Sequence, residues 1–391
     1  ELPNPLETFA GQPIEDAEQW AAVRRPELRE LFQHYMYGRQ PEAPPEIRGT
    51  TLFSDSAAFD GAGTLREVEL AFGPPDWPKI YLLIAAPNGP HPAPCFVGIN
   101  FGGNHMRADD PRVRLPTAWM PDRYPGVVNH RATDAGRGKQ GEGWDVWPLA
   151  EAVGRGYAVA TFYCGDVQPD RPDEVEGMRA TVDAAARSAG DATGHLMWWA
   201  WGLHRAVDYL AADAAIDPQR IAVVGHSRLG KAALLAGALD ERIALTVANQ
   251  AGCGGSGPSR HDDPEAETVG RISDKYGYWF CPNFAEFGAD PARLPFDQHA
   301  LVALYAPRPV LFTAAADDAW ANPSGQFAVL RAATPVYRLL GVAGLDAPAL
   351  PQPGDPLVAS RLGYWIRPGA HAFTPADWQS YMDFADRWLR R

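Results

Sequence analysis

The stretch Ile221-Ala222-Val223-Val224-Gly225-His226-Ser227-Arg228-Leu229-Gly230-Lys231-Ala232-Ala233-Leu234-Leu235-Ala236 decides the fold. Its first four residues are an apolar run suited to a buried strand, and helix formers follow Gly230 at once. Between them lies G-x-S-x-G with its last glycine displaced by one place. A turn this sharp lifts a serine hydroxyl clear of a sheet and sets it at a helix N-terminus. Backbone N–H groups and the helix dipole can there stabilise a developing oxyanion. Small residues at 225 and 230 let strand and helix approach closely. Ser227 is therefore the expected nucleophile.

On either side of the elbow, apolar runs alternate with helical patterns. Strands are expected at Leu65–Phe72, Ile80–Ala86, Pro94–Asn100, Gly156–Tyr163, Ile216–Gly225, Ile243–Asn249, Arg308–Ala315 and Tyr364–Arg367. Helices are expected near Arg24–Tyr37 and at Gly194–Ala212, Arg228–Leu239 and Pro375–Leu389. Strands separated by helices imply βαβ units and a mostly parallel sheet. Nothing in the chain reads as a linker or a repeat, so residues 1–391 are expected to form a single domain. Residues 1–50, rich in proline, are expected to wrap over it, and 106–146 to form an irregular insertion near the active site.

A serine nucleophile needs a base, and the base needs an orienting acid. Behind this kind of elbow the order is Ser, acid, His. Of ten histidines, His371 stands on the loop between the last strand and the last helix, where the base belongs. His299 is the weaker candidate, because Asp297-Gln298-His299-Ala300 reads as a helix start. The acid has two possible homes. One holds Gln250, which carries no charge and cannot stabilise an imidazolium. The other holds Asp317-Asp318, so one of those two is the expected acid. Arg228 and Lys231 lie within one turn of the serine on one side of the helix. Two cations so placed would favour an acidic ligand locally, unless Lys231 pairs with a carboxylate instead.

Composition excludes several classes. The chain has 391 residues, 46% hydrophobic and 21% charged, which is ordinary for a packed protein. A net charge of −13 argues against nucleic acid and anionic membranes as partners. No apolar run approaches the ~18 residues of a membrane helix. The 38 glycines and 37 prolines follow no collagen period and imply many loops on a rigid scaffold. Cys95, Cys164, Cys253 and Cys281 match no zinc spacing; one disulfide or four free thiols would both fit. The 13 tryptophans suit sugar rings as well as a core. Trp198, Trp199 and Trp201 are expected in the core, while Trp144, Trp147 and Trp279 are candidates for a cleft wall. Arg123, His130 and Arg131 are candidates for the substrate mouth. The given chain starts without a Met or a signal peptide, which reads as a mature form.

The chain resembles the bacterial glucuronoyl esterases, carbohydrate esterase family 15. The resemblance rests on Asn100-Phe101-Gly102-Gly103-Asn104-His105, Pro169-Asp170, Trp199-Ala200-Trp201-Gly202 and the Ser-Arg-x-Gly-Lys elbow. It continues through Ala306-Pro307-Arg308-Pro309, Asp318-Ala319-Trp320-Ala321 and Arg367-Pro368-Gly369-Ala370-His371. It implies an α/β-hydrolase fold, a three-layer sandwich around the mostly parallel sheet. It implies hydrolysis of the ester joining 4-O-methyl-glucuronic acid of xylan to lignin alcohols, without metal or organic cofactor. Ser227 would be the nucleophile, His371 the base and Asp318 the acid, since many members place a Glu where this chain has Gln250. Arg228 would help the oxyanion, and Lys231, Glu267 and Trp320 would face the sugar. The family's exported habit implies a secreted or periplasmic enzyme, and a monomer is expected. The alternatives are a polysaccharide acetyl esterase with the same triad and a non-catalytic carbohydrate-binding protein.

Overall fold

Apolar side chains alternate between two hydrophobic clusters along each central strand, which is what a sheet covered on both faces requires. In a computed structural model describing residues 2–140, 145–173 and 176–390, nine strands form that sheet. They are β1 (Arg48–Asp55), β2 (Gly63–Ala71), β3 (Ile80–Pro87), β4 (Ala93–Asn100), β5 (Ala158–Tyr163), β6 (Ile216–His226), β7 (Leu245–Asn249), β8 (Val310–Ala315) and β9 (Leu362–Arg367). The order is β1-β2-β3-β5-β4-β6-β7-β8-β9. The pairs from β5 through β9 are parallel, while β1 with β2, β2 with β3 and β3 with β5 are antiparallel. Ile221 and Val223 of β6 join one cluster, Ala222 and Val224 the other. Helices His195–Leu210, Ser227–Leu239 and Pro323–Leu339 cover the first face, and Leu149–Gly154 and Pro375–Leu389 the second. This is the three-layer α/β-hydrolase arrangement.

Several elements were not expected from the sequence, among them the short helices Leu149–Gly154 and Val269–Tyr276, the strand β1 and the helix Pro323–Leu339. β1 lies where the wrap was expected to end. It is an edge strand, mostly exposed, so it lacks the apolar run that marks its neighbours. The helix Pro323–Leu339 carries an internal Pro335, which hides its periodicity. Its start is nonetheless well made: the Asn322 side chain accepts from Gly325 N at 2.8 Å, and Pro323 occupies the first helical position. The helical segment 17–37 packs inward through Trp20, Leu28, Phe32 and Met36. Its Tyr37 hydroxyl donates to Gly254 O at 3.1 Å.

The insertion contributes a two-stranded ribbon, Val127–Val128 with Arg131–Ala132. It is anchored by the buried Arg107–Asp145 pair at 2.6 Å and by the Tyr163 hydroxyl donating to Trp119 O at 2.7 Å. Trp198, Trp199, Trp201 and Trp147 are buried in the core clusters, so Trp147 is not a cleft wall. Trp144 lies outside the described residues. All four cysteines are buried free thiols, which settles the disulfide alternative against a bridge. Among the described residues no helix is long and apolar enough to cross a membrane.

Candidate active site

Parallel strands deliver their C-terminal ends to one edge, where ligands of open α/β sheets bind. The end of β6 turns into the helix Ser227–Leu239 through Ser227 itself, whose φ is +55°. A non-glycine residue in that region is strained and needs close packing to hold it. Gly225 and Gly230 permit that packing. A Cβ at 225 would meet Leu229 O at 2.1 Å, and one at 230 would meet Gly225 O at 2.9 Å. Ser227, His226, Arg228 and His371 line one cleft of about 430 Å³, with Phe101, Arg123, Tyr124 and Pro125 forming its other walls.

His371 and Asp318 meet across loops that follow β9 and β8. His371 Nδ1 lies 2.6 Å from Asp318 Oδ2, and the carboxylate is buried while the imidazole is half-exposed to the cleft. Asp318 Oδ1 accepts from Ala321 N at 3.3 Å, which fixes the carboxylate rotamer. Asp317 is exposed, and its backbone N donates to Gly369 O at 3.0 Å. Of the two aspartates, then, Asp318 is the one beside the imidazole. Gln250 Oε1 accepts from Ala372 N at 2.9 Å, and Arg367 Nη2 donates to Ala370 O and Ala372 O at 2.9 and 3.2 Å. These bonds hold the His371 loop from both sides. His299 is remote from the cleft: it is buried, and its Nε2 meets Pro3 O at 2.7 Å.

The loop after β4 is held by a buried acid. Phe101 N donates to Asp145 Oδ2 at 3.2 Å, and the Gly102 amide is also directed at Asp145. The loop that usually lends an N–H to the oxyanion is thus occupied. Arg228 follows Ser227 on the elbow. Its Nη1 donates to Asp170 Oδ2 at 2.9 Å, and the guanidinium lies over Phe101 and Trp279 at 5.3 and 5.0 Å. Asp170 Oδ1 accepts from Trp279 Nε1 at 2.8 Å and from the Tyr278 hydroxyl at 3.0 Å. Burial is the largest single influence and works against the charge, but Asp170 together with Tyr124, Tyr276 and Cys164 more than offsets it, so Arg228 is held above its ordinary pKa. Trp279, expected as a cleft wall, instead packs against the arginine and its carboxylate partner.

Lys231 is buried and paired. Its Nζ donates to Glu267 Oε2 at 2.9 Å and to Cys253 O. Glu267 Oε1 accepts from Trp320 Nε1 at 3.1 Å, and the Trp320 ring is 43% exposed. These three residues form one hydrogen-bonded set beside the triad, without lining the cleft itself. Both Arg228 and Lys231 have a carboxylate partner. The expectation that they form a net positive lure is corrected: each charge is cancelled locally.

Arg123 lines the cleft, as its place in the insertion suggested. His130 and Arg131 turn elsewhere, to a stack on Trp119 at 5.1 Å and to Glu176 at 3.4 Å. Among the described residues no group of His, Cys, Asp or Glu is arranged to hold a metal ion.

A sequence profile described as glucuronyl esterase, fungi, matches residues 153–341. A carbohydrate esterase from an unknown prokaryotic organism is 40% identical, over 98% of this chain and 89% of that one. Among solved structures, a promiscuous family 15 esterase from a marine bacterial metagenome is 39% identical with a TM-score of 0.91, covering 99% of this chain and 97% of that one. A glucuronoyl esterase from Solibacter usitatus is 33% identical with a TM-score of 0.90, over the same shares of the two chains. With a sheet, an elbow and a whole-length likeness in common, this chain belongs to carbohydrate esterase family 15, the glucuronoyl esterases.

Proposed function

We propose that this chain is a serine esterase that hydrolyses the ester between (4-O-methyl-)glucuronic acid of xylan and lignin alcohols. The observation that carries the reaction type is the 2.6 Å contact of His371 Nδ1 with buried Asp318, in the cleft that Ser227 lines. Family membership supports the uronate as the acyl group.

His371 takes the proton of Ser227 as the hydroxyl attacks the ester carbonyl. Asp318 holds the imidazole in its tautomer and stabilises its charged form. The oxyanion is met by the Arg228 amide at the helix N-terminus and by the Arg228 guanidinium. The alcohol leaves with the proton from His371, and water then releases glucuronate from Ser227 by the same steps in reverse order. Trp320 offers a flat exposed face to the sugar ring. Glu267 accepts from sugar hydroxyls, with Lys231 keeping it ionised and in place. The polymeric plant substrate favours an exported enzyme, and one chain carries every residue of the reading, so a monomer suffices.

A second reading has one observation behind it: the 39%-identical family 15 relative is described as promiscuous. Acetyl esters of polysaccharides are the natural second class, since the triad alone serves them. The deciding experiment gives the enzyme benzyl glucuronate and an acetylated xylo-oligosaccharide side by side. Preference for the glucuronate supports the first reading. Cleavage of the acetyl ester alone replaces it with the second. Binding of sugar without turnover of either would make the protein a carbohydrate-binding module.

A further inference from the structure

His226 precedes the nucleophile, and nothing in the triad uses it. Its ring stacks on Phe373 at 5.5 Å with the planes 5° apart, and its centroid lies 4.5 Å from that of His371. Two imidazoles this close could share the proton that the reaction must keep on one of them. The residue beneath decides which form His226 takes.

Asn249 Nδ2 lies 3.2 Å from His226 Nδ1 and 3.1 Å from Ala372 O. A carbonyl only accepts, so the atom facing Ala372 O is the amide nitrogen. The opposite bond agrees, with the Thr313 hydroxyl donating to Asn249 Oδ1 at 3.0 Å. Asn249 therefore donates to His226 Nδ1, and that nitrogen carries no proton. In a neutral ring the proton is then on Nε2. Among the described residues no side chain hydrogen-bonds Nε2, and the ring lines the cleft.

We propose that Asn249 is a positioning residue that locks His226 as neutral imidazole with its proton on Nε2. The cleft thereby gains a fixed hydrogen-bond donor beside Ser227, directed at an oxygen of the bound ester, and His371 keeps no rival for its proton. Protonating His226 would set an Nδ1–H against the Asn249 N–H. The charged groups around the ring work the same way: His371 on its loop, Arg228 on the elbow helix and Arg367 on β9 all oppose a second positive charge. Burial and these charges hold the His226 pKa well below its ordinary value, against a smaller opposing pull from the Asn249 backbone. This proposal rests on the esterase reading for the donor's purpose, but its first test needs no substrate.

That test is ¹⁵N NMR of the histidine rings, with His226 assigned by its absence in His226→Phe. The expected spectrum has His226 Nδ1 unprotonated and Nε2 protonated throughout the range in which His371 titrates. A protonated Nδ1, or a His226 that titrates together with His371, overturns the proposal, whatever ester the enzyme cleaves. The kinetic arm is Asn249→Asp, whose carboxylate accepts from Nδ1 and draws a proton there. Its kcat–pH profile is expected to gain a second inflection that disappears in Asn249→Asp/His226→Phe. An inflection that survives in the double variant contradicts the lock. Loss of the donor in His226→Phe is expected to lower kcat/KM about two- to tenfold, the worth of one hydrogen bond. No loss removes the donor role. Failure of Asn249→Asp to fold leaves the wild-type spectrum as the decisive reading.

Discussion

Asp317 and Asp318 are neighbours of identical chemistry, and geometry alone separates them. Only Asp318 is buried against the imidazole, with Ala321 N fixing its other oxygen. Asp318→Asn is expected to keep the fold and lower kcat by about three to four orders of magnitude, because the amide favours the wrong histidine tautomer. Asp317→Asn, at an exposed site, is expected to change kcat less than about twofold. Steady-state kinetics on benzyl glucuronate measure both; equal losses would assign the acid wrongly. Sequence reasoning reached the pair by elimination, since Gln250 cannot bear charge. It could not see that Gln250 instead holds the base loop through Ala372 N. Nor could it see the Asp170 and Glu267 partners of Arg228 and Lys231, because pairing across 58 and 36 residues leaves no local pattern.

His299 shows the same limit with a consequence for stability. Burial depresses its pKa to about 4 from the ordinary 6.5. Above that ordinary value both folded and unfolded states are neutral. Between 6.5 and about 4 only the unfolded state takes the proton, so this residue's contribution is lost as pH falls. The whole interval corresponds to roughly 3 kcal/mol. Other buried groups titrate nearby, so the useful measurement is a difference. Urea unfolding of His299→Gln should show a weaker fall in stability over that interval than wild type, by up to this amount. Parallel pH curves would contradict the assignment.

At the scale of elements, the strand–turn–helix at 221–236 was legible because its chemistry and its pattern coincide in one stretch. The small residues are there for contact: a Cβ at 225 would press on the Leu229 carbonyl, a backbone atom with no room to yield. Gly225→Ala is expected to cost roughly 1–3 kcal/mol, as overpacking does, and to lower kcat with it by moving Ser227. Thermal unfolding and kinetics on the same sample check this. An unchanged Tm would mean that the elbow is looser than the contact requires. The elements that escaped sequence reading failed for opposite reasons. β1 is too exposed to show an apolar run, and the helix Pro323–Leu339 has a proline where periodicity should continue. The parallel core strands were legible because burial on both faces makes them continuous apolar runs.

At the scale of the whole molecule, charge is the property that sequence alone misleads on. The chain is −13 overall, and two cations follow Ser227 within one helical turn. Each of these two is matched by a carboxylate, so this pair adds little field at distances beyond the ~10 Å over which salt screens. The ester substrate is itself uncharged at the reacting carboxyl. kcat/KM for an uncharged glucuronate ester is therefore expected to change less than about twofold between low and physiological ionic strength. A steep decline with salt would show that the cations act as a lure after all.

The fold, the cleft and the family likeness converge on a covalent intermediate at one side chain. The most direct measurement is the intact mass of the enzyme after rapid acid quench with benzyl glucuronate, followed by peptide mapping. The mass is expected to rise by one glucuronoyl group on the peptide that contains Ser227, with no adduct and no turnover in Ser227→Ala. Undiminished hydrolysis by Ser227→Ala, or an adduct on another residue, would contradict the central claim.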